Sequence, residues 1–207
     1  ASLLGLLRAG YDIAAVYTKP DRPAGRGRKF TYSPVKDCAI AHQLPILQPT
    51  SFHNEIFALK SLKPDAIVVV SYGVILPSEV LSVPKRGCIN VHASLLPRWR
   101  GAAPIHRAIE AGDSNAGVTL MQMNSGLDTG NILFQSSITI DKDETSGSLH
   151  NKLSKMGAEL LVARLPEILS GTARSTRQNE ENVTYARKIV NSERWLQWAS
   201  PAIELAQ

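Results

Sequence analysis

Asn90 and His92 stand two residues apart at the end of the apolar run Cys88-Ile89-Asn90-Val91-His92. In an extended strand that spacing turns both side chains to one face. An amide and an imidazole would then sit side by side at the carboxyl edge of a sheet, where open α/β folds bind ligands. A third group, Asp128, lies 36 residues further on, in the turn Gly126-Leu127-Asp128-Thr129-Gly130. Strand-end loops converge in space, so an Asp128–His92 contact is expected. An imidazole oriented by a carboxylate can hold a proton and deliver it to a developing oxyanion, and a side-chain amide adds a second donor. Each well-placed donor stabilises such an oxyanion by roughly 3–4 kcal/mol. The trio suits acyl transfer from a carbonyl donor to an incoming amine, with the substrate rather than the protein as nucleophile.

Other readings of the same residues are bland or weaker. Asn90 could simply make a turn, His92 could be a satisfied half-buried ring, and Asp128 could cap its own turn. Ser94 follows His92 closely, but no Gly-x-Ser-x-Gly elbow surrounds it, which speaks against a Ser-His-Asp hydrolase. His92, Asp128 and His106 lack the spacing of a zinc site. Cys38 and Cys88 can build neither a disulfide framework nor a four-ligand metal centre. They read as buried small hydrophobes of a reducing compartment, and no metal is expected. His42, His53, His106 and His150 read as surface or packing residues. Trp99 reads as packing its loop rather than stacking a base.

The elements that must position the trio follow from periodicity. The 207 residues, 43% hydrophobic and 20% charged, suffice for one well-packed domain and a remnant, which excludes a disordered chain. No apolar run approaches the ~20 residues of a membrane span, and no signal-peptide layout opens the chain, so a cytoplasmic protein is expected. Helices are expected over Ala1–Ala9, Val35–His42, Asn54–Leu62 with Phe57 inward, Ala103–Ala111, and from Thr145 or Ser146 to Leu169 with Gly171 as its cap. Strands are expected over Ile13–Tyr17, Pro45–Leu47, Ala66–Ser71 (buried on both faces), Cys88–His92, Gly117–Met123 and Asn131–Ile140. This alternation argues for an α/β fold, an open, mostly parallel twisted sheet with helices on both faces. Residues 1–172 would form the catalytic domain and 173–207 a linker and the start of a second one. The chain opens on a helix where such folds open on a strand, and ends with a helix barely begun, so both ends read as cut.

The net charge of +5 is concentrated in one place. Lys19, Arg22, Arg26, Arg28 and Lys29 face only Asp21 within the Pro/Gly-rich stretch Lys19–Pro34, expected to be a long loop. Such a segment can grip nucleic-acid phosphates, and it also fits a plain solvated loop.

The run Cys88-Ile89-Asn90-Val91-His92-Ala93-Ser94-Leu95-Leu96-Pro97-Arg98-Trp99-Arg100-Gly101-Ala102-Ala103-Pro104 closely resembles the signature of the folate-dependent formyltransferases. So do Gly117-Val118-Thr119-Leu120-Met121-Gln122-Met123 and the turn at 126–130. The resemblance implies a Rossmann-like formyltransferase fold with Asn90, His92 and Asp128 as catalytic residues. It implies 10-formyltetrahydrofolate as formyl donor, lying against Ser94, Leu95, Leu96 and Pro97, against Tyr72, Gly73, Val74, Ile75 and Leu76, and against Met123 and Asn124. The segment Thr18–Lys29 resembles the inserted basic loop of the branch acting on methionyl-tRNA. By that resemblance Lys19, Arg22, Arg26, Arg28 and Lys29 would contact initiator methionyl-tRNA. It further implies a monomer with no covalent enzyme intermediate and no metal, a first strand before Ala1, and a carboxy-terminal β-barrel after the lead-in Trp195–Gln207. A formyltransferase for a nucleotide-linked amine, or an RNA-binding fragment without turnover, remain as rivals.

Overall fold

A computed structural model describes all residues except 25–28, 53, 196–197, 200 and 202–207, with the backbone alone for Ala24, Lys29 and Arg194. Helix α1 (Ser2–Arg8) buries Leu6 and stops before Gly10, whose φ of 80° is the left-handed turn that glycine adopts without strain. Strand β1 (Val16–Tyr17) is shorter than the expected Ile13–Tyr17. The stretch Lys19–Pro34, expected to be a loop, contains an antiparallel ladder of β2 (Arg22–Ala24) and β3 (Lys29–Thr31). Its prolines hid it: Pro23 is tolerated because a two-stranded ribbon leaves its nitrogen side without a neighbouring strand. Helix α2 (Pro34–Ala41) begins where Ser33 Oγ accepts from Lys36 N (3.3 Å), with Pro34 at the first helical position. Strand β4 (Ile46–Leu47) then pairs in parallel with β1.

Helix α3 (Ile56–Ser61) turns differently from the expected helix over Asn54–Leu62. Phe57, expected inward, is 86% exposed, and Leu59 fills the core instead. Strand β5 (Ile67–Val69) is half-buried rather than covered on both faces, and Val70 is exposed. Among the described residues it is the last strand on its side of the four-stranded sheet and has a single paired neighbour. Helix α4 (Ser78–Leu81) follows, then β6 (Cys88–His92), β7 (Arg100–Gly101), α5 (Pro104–Glu110), β8 (Asn115–Gln122) and β9 (Ile132–Thr139). The sheet order is β5-β6-β8-β9, parallel between β5 and β6 and antiparallel through β8 and β9.

Helices cover both faces, as the open α/β class requires. On β6 the alternation is direct. Ile89 and Val91 meet Leu6 of α1 and Leu161 and Leu165 of helix α6 (Ser146–Ser170). Cys88, on the face shared with Asn90 and His92, meets Phe52, Leu59, Leu76 and Val80. Helix α6 starts in a capping box between Thr145 and Ser148 and ends at Gly171 with φ 81°. Gly157 lets it lie directly on the sheet, since a Cβ there would come within 3.0 Å of Val91 Cγ1. Past Gly171 the chain returns across the sheet rather than leaving it. Ile132 and Thr176 exchange an antiparallel bridge, and β10 (Tyr185–Ala186) pairs in parallel with β7.

Among the described residues no helix is long and apolar enough to cross a membrane. Cys88 is fully buried, and that burial pushes its thiol up to about 11. Its nucleophilic thiolate is therefore scarce at pH 8. A disulfide reagent added to native protein should leave Cys88 unmodified until denaturant is present, as peptide mapping would read. Rapid native labelling of Cys88 would contradict the packing of α4 on β6.

Candidate active site

The carboxyl end of β6 brings Asn90 and His92 to the turn that carries Asp128. Asn90 Nδ2 donates to Asp128 Oδ1 at 3.3 Å, and His92 Nδ1 lies 3.8 Å from Asp128 Oδ2. Asp128 has φ +52°, a left-handed conformation that costs a non-glycine residue of order 1–3 kcal/mol unless its surroundings impose it. Those surroundings are visible. Gly101 N donates to Asp128 Oδ2 at 2.9 Å, and Gln178 Nε2 donates to the carbonyls of both Asp128 and Gly130 at 2.7 Å. The carboxylate thus receives a donor at each oxygen, and the backbone of its turn receives two more.

His92 is buried, and its Nε2 lies 2.9 Å from the Trp99 carbonyl oxygen. A carbonyl only accepts, so Nε2 carries the hydrogen. Nδ1 is then the ring nitrogen facing Asp128, and it is the atom left to take up or release a proton. Trp99 itself holds φ +64°, its amide N donates to Thr184 Oγ1 (2.9 Å), and its indole Nε1 donates to Asp113 Oδ2 (2.7 Å). It packs the loop. Asp113 also receives both guanidinium donors of Arg98, at 2.8 and 2.6 Å. Burial works to raise the Asp113 carboxyl, but Arg98 and Trp99 outweigh it and hold it below the usual carboxylate range.

Ser94 is buried and its hydroxyl donates to the Arg98 carbonyl at 2.7 Å, away from His92. It is not arranged as a nucleophile. Leu96 is buried, with its N–H on Thr119 Oγ1 and its carbonyl accepting from Gln135 Nε2. Leu95 packs over Gly117, where a Cβ would come 2.4 Å from Leu95 Cδ2, and Pro97 is partly buried. Tyr72 is half-buried and packs edge-on against Phe52, while Leu76 lies in the core. Gly73, Val74 and Ile75 stand at the surface, with Ile75 87% exposed. Exposed Leu127 precedes Asp128 on its turn. Met123 is half-buried, and exposed Asn124 shapes the same turn, its Oδ1 accepting from Gly126 N and Thr129 Oγ1.

Of the basic residues, Lys19 and Arg22 are exposed. Arg26, Arg28 and the side chain of Lys29 lie outside the described residues. Lys19 reaches toward Gly73, where a Cβ would be 2.9 Å from its Nζ, so the basic segment touches the 72–76 loop. The root of the hairpin is clamped. Lys36 Nζ bonds Asp21 and Gln48, and Gln48 Nε2 donates to the Lys19 carbonyl (2.7 Å) and to Asp21 Oδ1 (3.0 Å). Bonding to Lys36 holds the Asp21 carboxyl below its ordinary value. Among the described residues no group of three or more His, Cys, Asp or Glu could hold a metal ion.

Sequence reasoning passed over Gln178, Arg100 and Thr184. Their partners are largely backbone atoms and residues about 50–85 positions away, which leave no periodic signal.

Chemically, the arrangement presents an amide donor and an imidazole with one nitrogen committed, both bonded or turned to a carboxylate, with exposed Leu127 next to that carboxylate on its turn. A profile described as formyl transferase matches residues 6–165. The chain is 54% identical over 201 residues to the methionyl-tRNA formyltransferase of Halorhodospira halophila, covering 97% of this chain and 65% of that protein. It is 50% identical over 205 residues to that of Pseudomonas fluorescens strain Pf0-1, covering 98% and 64%. The chain therefore spans just under two thirds of the length of these relatives. In fold it resembles an N-formyltransferase from Helicobacter canadensis (TM-score 0.77, 21% identity, 99% of this chain and 73% of that one). It also resembles phosphoribosylglycinamide formyltransferase from Bacillus halodurans (TM-score 0.69, 24% identity, 83% and 89%). With its open α/β sheet and the matched profile spanning both Asn90–His92 and Asp128, the chain belongs to the formyl transferase family.

Proposed function

We propose that this chain transfers the formyl group of 10-formyltetrahydrofolate to the α-amine of methionine esterified to initiator tRNA. The observation that carries the reading is the junction of Asn90, His92 and Asp128 at one strand end, in a chain half-identical to methionyl-tRNA formyltransferases along nearly all its length. The α-amine, with an ordinary pKa of about 7.7–8.0, is partly neutral near pH 7.5 and attacks the formyl carbon. A C–N bond forms and the carbonyl pair moves to oxygen. Asn90, with one Nδ2 hydrogen on Asp128, offers its second to that oxyanion. The surplus proton of the new amide nitrogen passes to Nδ1 of His92, where Asp128 balances the charge, and returns to N10 of the folate as its bond to the formyl carbon breaks. The protein contributes no nucleophile and forms no covalent bond to the formyl group, and the route uses no metal.

The exposed apolar residues Val74, Ile75 and Leu127 suit the flat pterin ring. The Ser94–Pro97 and Met123–Asn124 segments, tied to the sheet, form the rigid wall behind it. The basic residues Lys19, Arg22, Arg26, Arg28 and Lys29 would contact the tRNA, with the Asp21–Lys36–Gln48 clamp holding the chain at Lys19 and Asp21.

Titration with a stable 10-formyltetrahydrofolate analogue, followed by formylation of methionyl-tRNA at rising salt, tests both halves. Saturable donor binding, and acceptor KM rising steeply with ionic strength, are expected because several phosphate contacts release counterions. Absence of donor binding by folded protein overturns the reading. A flat salt response would replace tRNA with a small acceptor.

A further inference from the structure

We infer that Gln178, oriented by the buried guanidinium of Arg100, is a positioning residue for Asp128. This rests on the formyl-transfer reading above and assigns the 176–186 segment a part in it. Arg100 sits in a two-residue strand, yet its side chain is 1% exposed, which a guanidinium tolerates only with its donors engaged. The Arg100 fork donates to Glu180 at 3.0 and 3.3 Å, and Nε donates to Gln178 Oε1 at 2.9 Å. Burial opposes the charge, but Glu180 and Tyr185 outweigh it and raise the guanidinium above its ordinary range.

The bond from Nε fixes which way the Gln178 amide points. Nε can only donate, so the amide oxygen faces Arg100 and the NH2 faces the opposite way. Both of its hydrogens go to the turn, to the carbonyls of Asp128 and Gly130. Gln178 is 4% exposed, so no water replaces those bonds if they are lost. They hold Asp128 at φ +52°, the conformation that turns its carboxylate to Asn90, Gly101 N and His92.

Residues 99–101 complete the frame. The Trp99 carbonyl accepts from His92 Nε2–H and Gly101 N donates to Asp128 Oδ2, while Arg100 between them points the other way, to Gln178. This three-residue segment thereby ties the imidazole, the carboxylate and the amide that braces the carboxylate's backbone. The parallel pairing of β10 on β7 holds residues 178 and 100 in reach of each other.

The test is Gln178→Glu in the full chain, measured beside the parent and Asp128→Asn for kcat, for the KM of donor and acceptor, and for thermal midpoint. Glutamate keeps the shape and the Arg100 contact but sets a carboxylate oxygen against two carbonyls. We expect kcat to fall about 10- to 100-fold, as small displacements of reacting groups do, with both KM values within about threefold of the parent. Gln178→Met, which removes the donors without adding charge, should show the same split and serves if the glutamate variant does not fold. A folded variant with kcat within about twofold of the parent overturns the inference. So does a fall in kcat accompanied by a rise in both KM values and a lowered midpoint, the mark of a plain structural brace. Failure of the formyl-transfer reading looks different: the parent does not formylate, or Asp128→Asn turns over normally, and the inference falls with it.

Discussion

Asp128→Asn leaves a folded protein whose turnover in formyl transfer is lower by about 10²-fold or more. The two oxygens of Asp128 have different duties. Oδ1 accepts from Asn90 Nδ2, while Oδ2 accepts from Gly101 N and faces His92 Nδ1. An asparagine amide can accept on only one side. Turned one way, its NH2 opposes Asn90; turned the other, it opposes Gly101 N. Each orientation sets donor against donor at a cost of about 1–3 kcal/mol and removes the charge that balances a protonated imidazole. Asn90→Ala and His92→Ala each lose an oxyanion donor or the proton station, with losses of similar size. Initial rates on folded variants, checked by circular dichroism, decide the matter. Turnover within a few-fold of the parent in all three ends the mechanism.

Gly130→Ala is expected to have the largest effect on stability of any single methyl added to the site. A Cβ at Gly130 would lie 1.7 Å from the Gln122 carbonyl oxygen and 2.8 Å from its carbon. The obstacle is backbone of β8, which cannot rotate aside as a side chain does. Gln122 N also donates to the Asn131 carbonyl, so moving the turn breaks the start of the β8–β9 ladder. The cost sits at or above the upper end of ordinary overpacking, about 3 kcal/mol. For a domain of this size that lowers the thermal midpoint by roughly 6–12 °C. Because the same turn carries Asp128, kcat should fall with it. A calorimetric midpoint within about 2 °C of the parent would show that the turn yields more easily than its backbone contacts imply.

Much of this was legible because it follows from short-range periodicity. Two-residue spacing on β6 put Asn90 and His92 on one face, and the structure places them there with Cys88. The 146–170 helix was readable from its Thr145 cap, its apolar stripe and its Gly171 stop. Where partners come from far away the sequence was silent. Phe57 and Leu59 are equally apolar, and only the placement of α3 against α4 decides that Leu59 goes inward. The antiparallel pairing of 22–24 with 29–31 was hidden by prolines that normally signal loop. The hydrogen-bond partner of His92 Nε2 is a backbone carbonyl, which every residue possesses and no sequence pattern marks. Gln178 lies in a polar stretch that reads as thinning structure. Its polarity is the point, since it meets two buried carbonyls.

The pairing of β7 with β10 has a consequence for the order in which the molecule is made. Residues 90, 92 and 128 leave the ribosome well before residues 176–186, which finish the frame around them. Such sequence-distant closure is slow compared with local helix and hairpin formation. During synthesis, therefore, the trio exists for a time without its brace, with the Asp128 turn free to relax toward ordinary backbone angles. The site matures only when the segment through Ala186 docks. A nascent chain arrested before residue 178 should carry the sheet and all three side chains and still lack the turn geometry that sets the carboxylate.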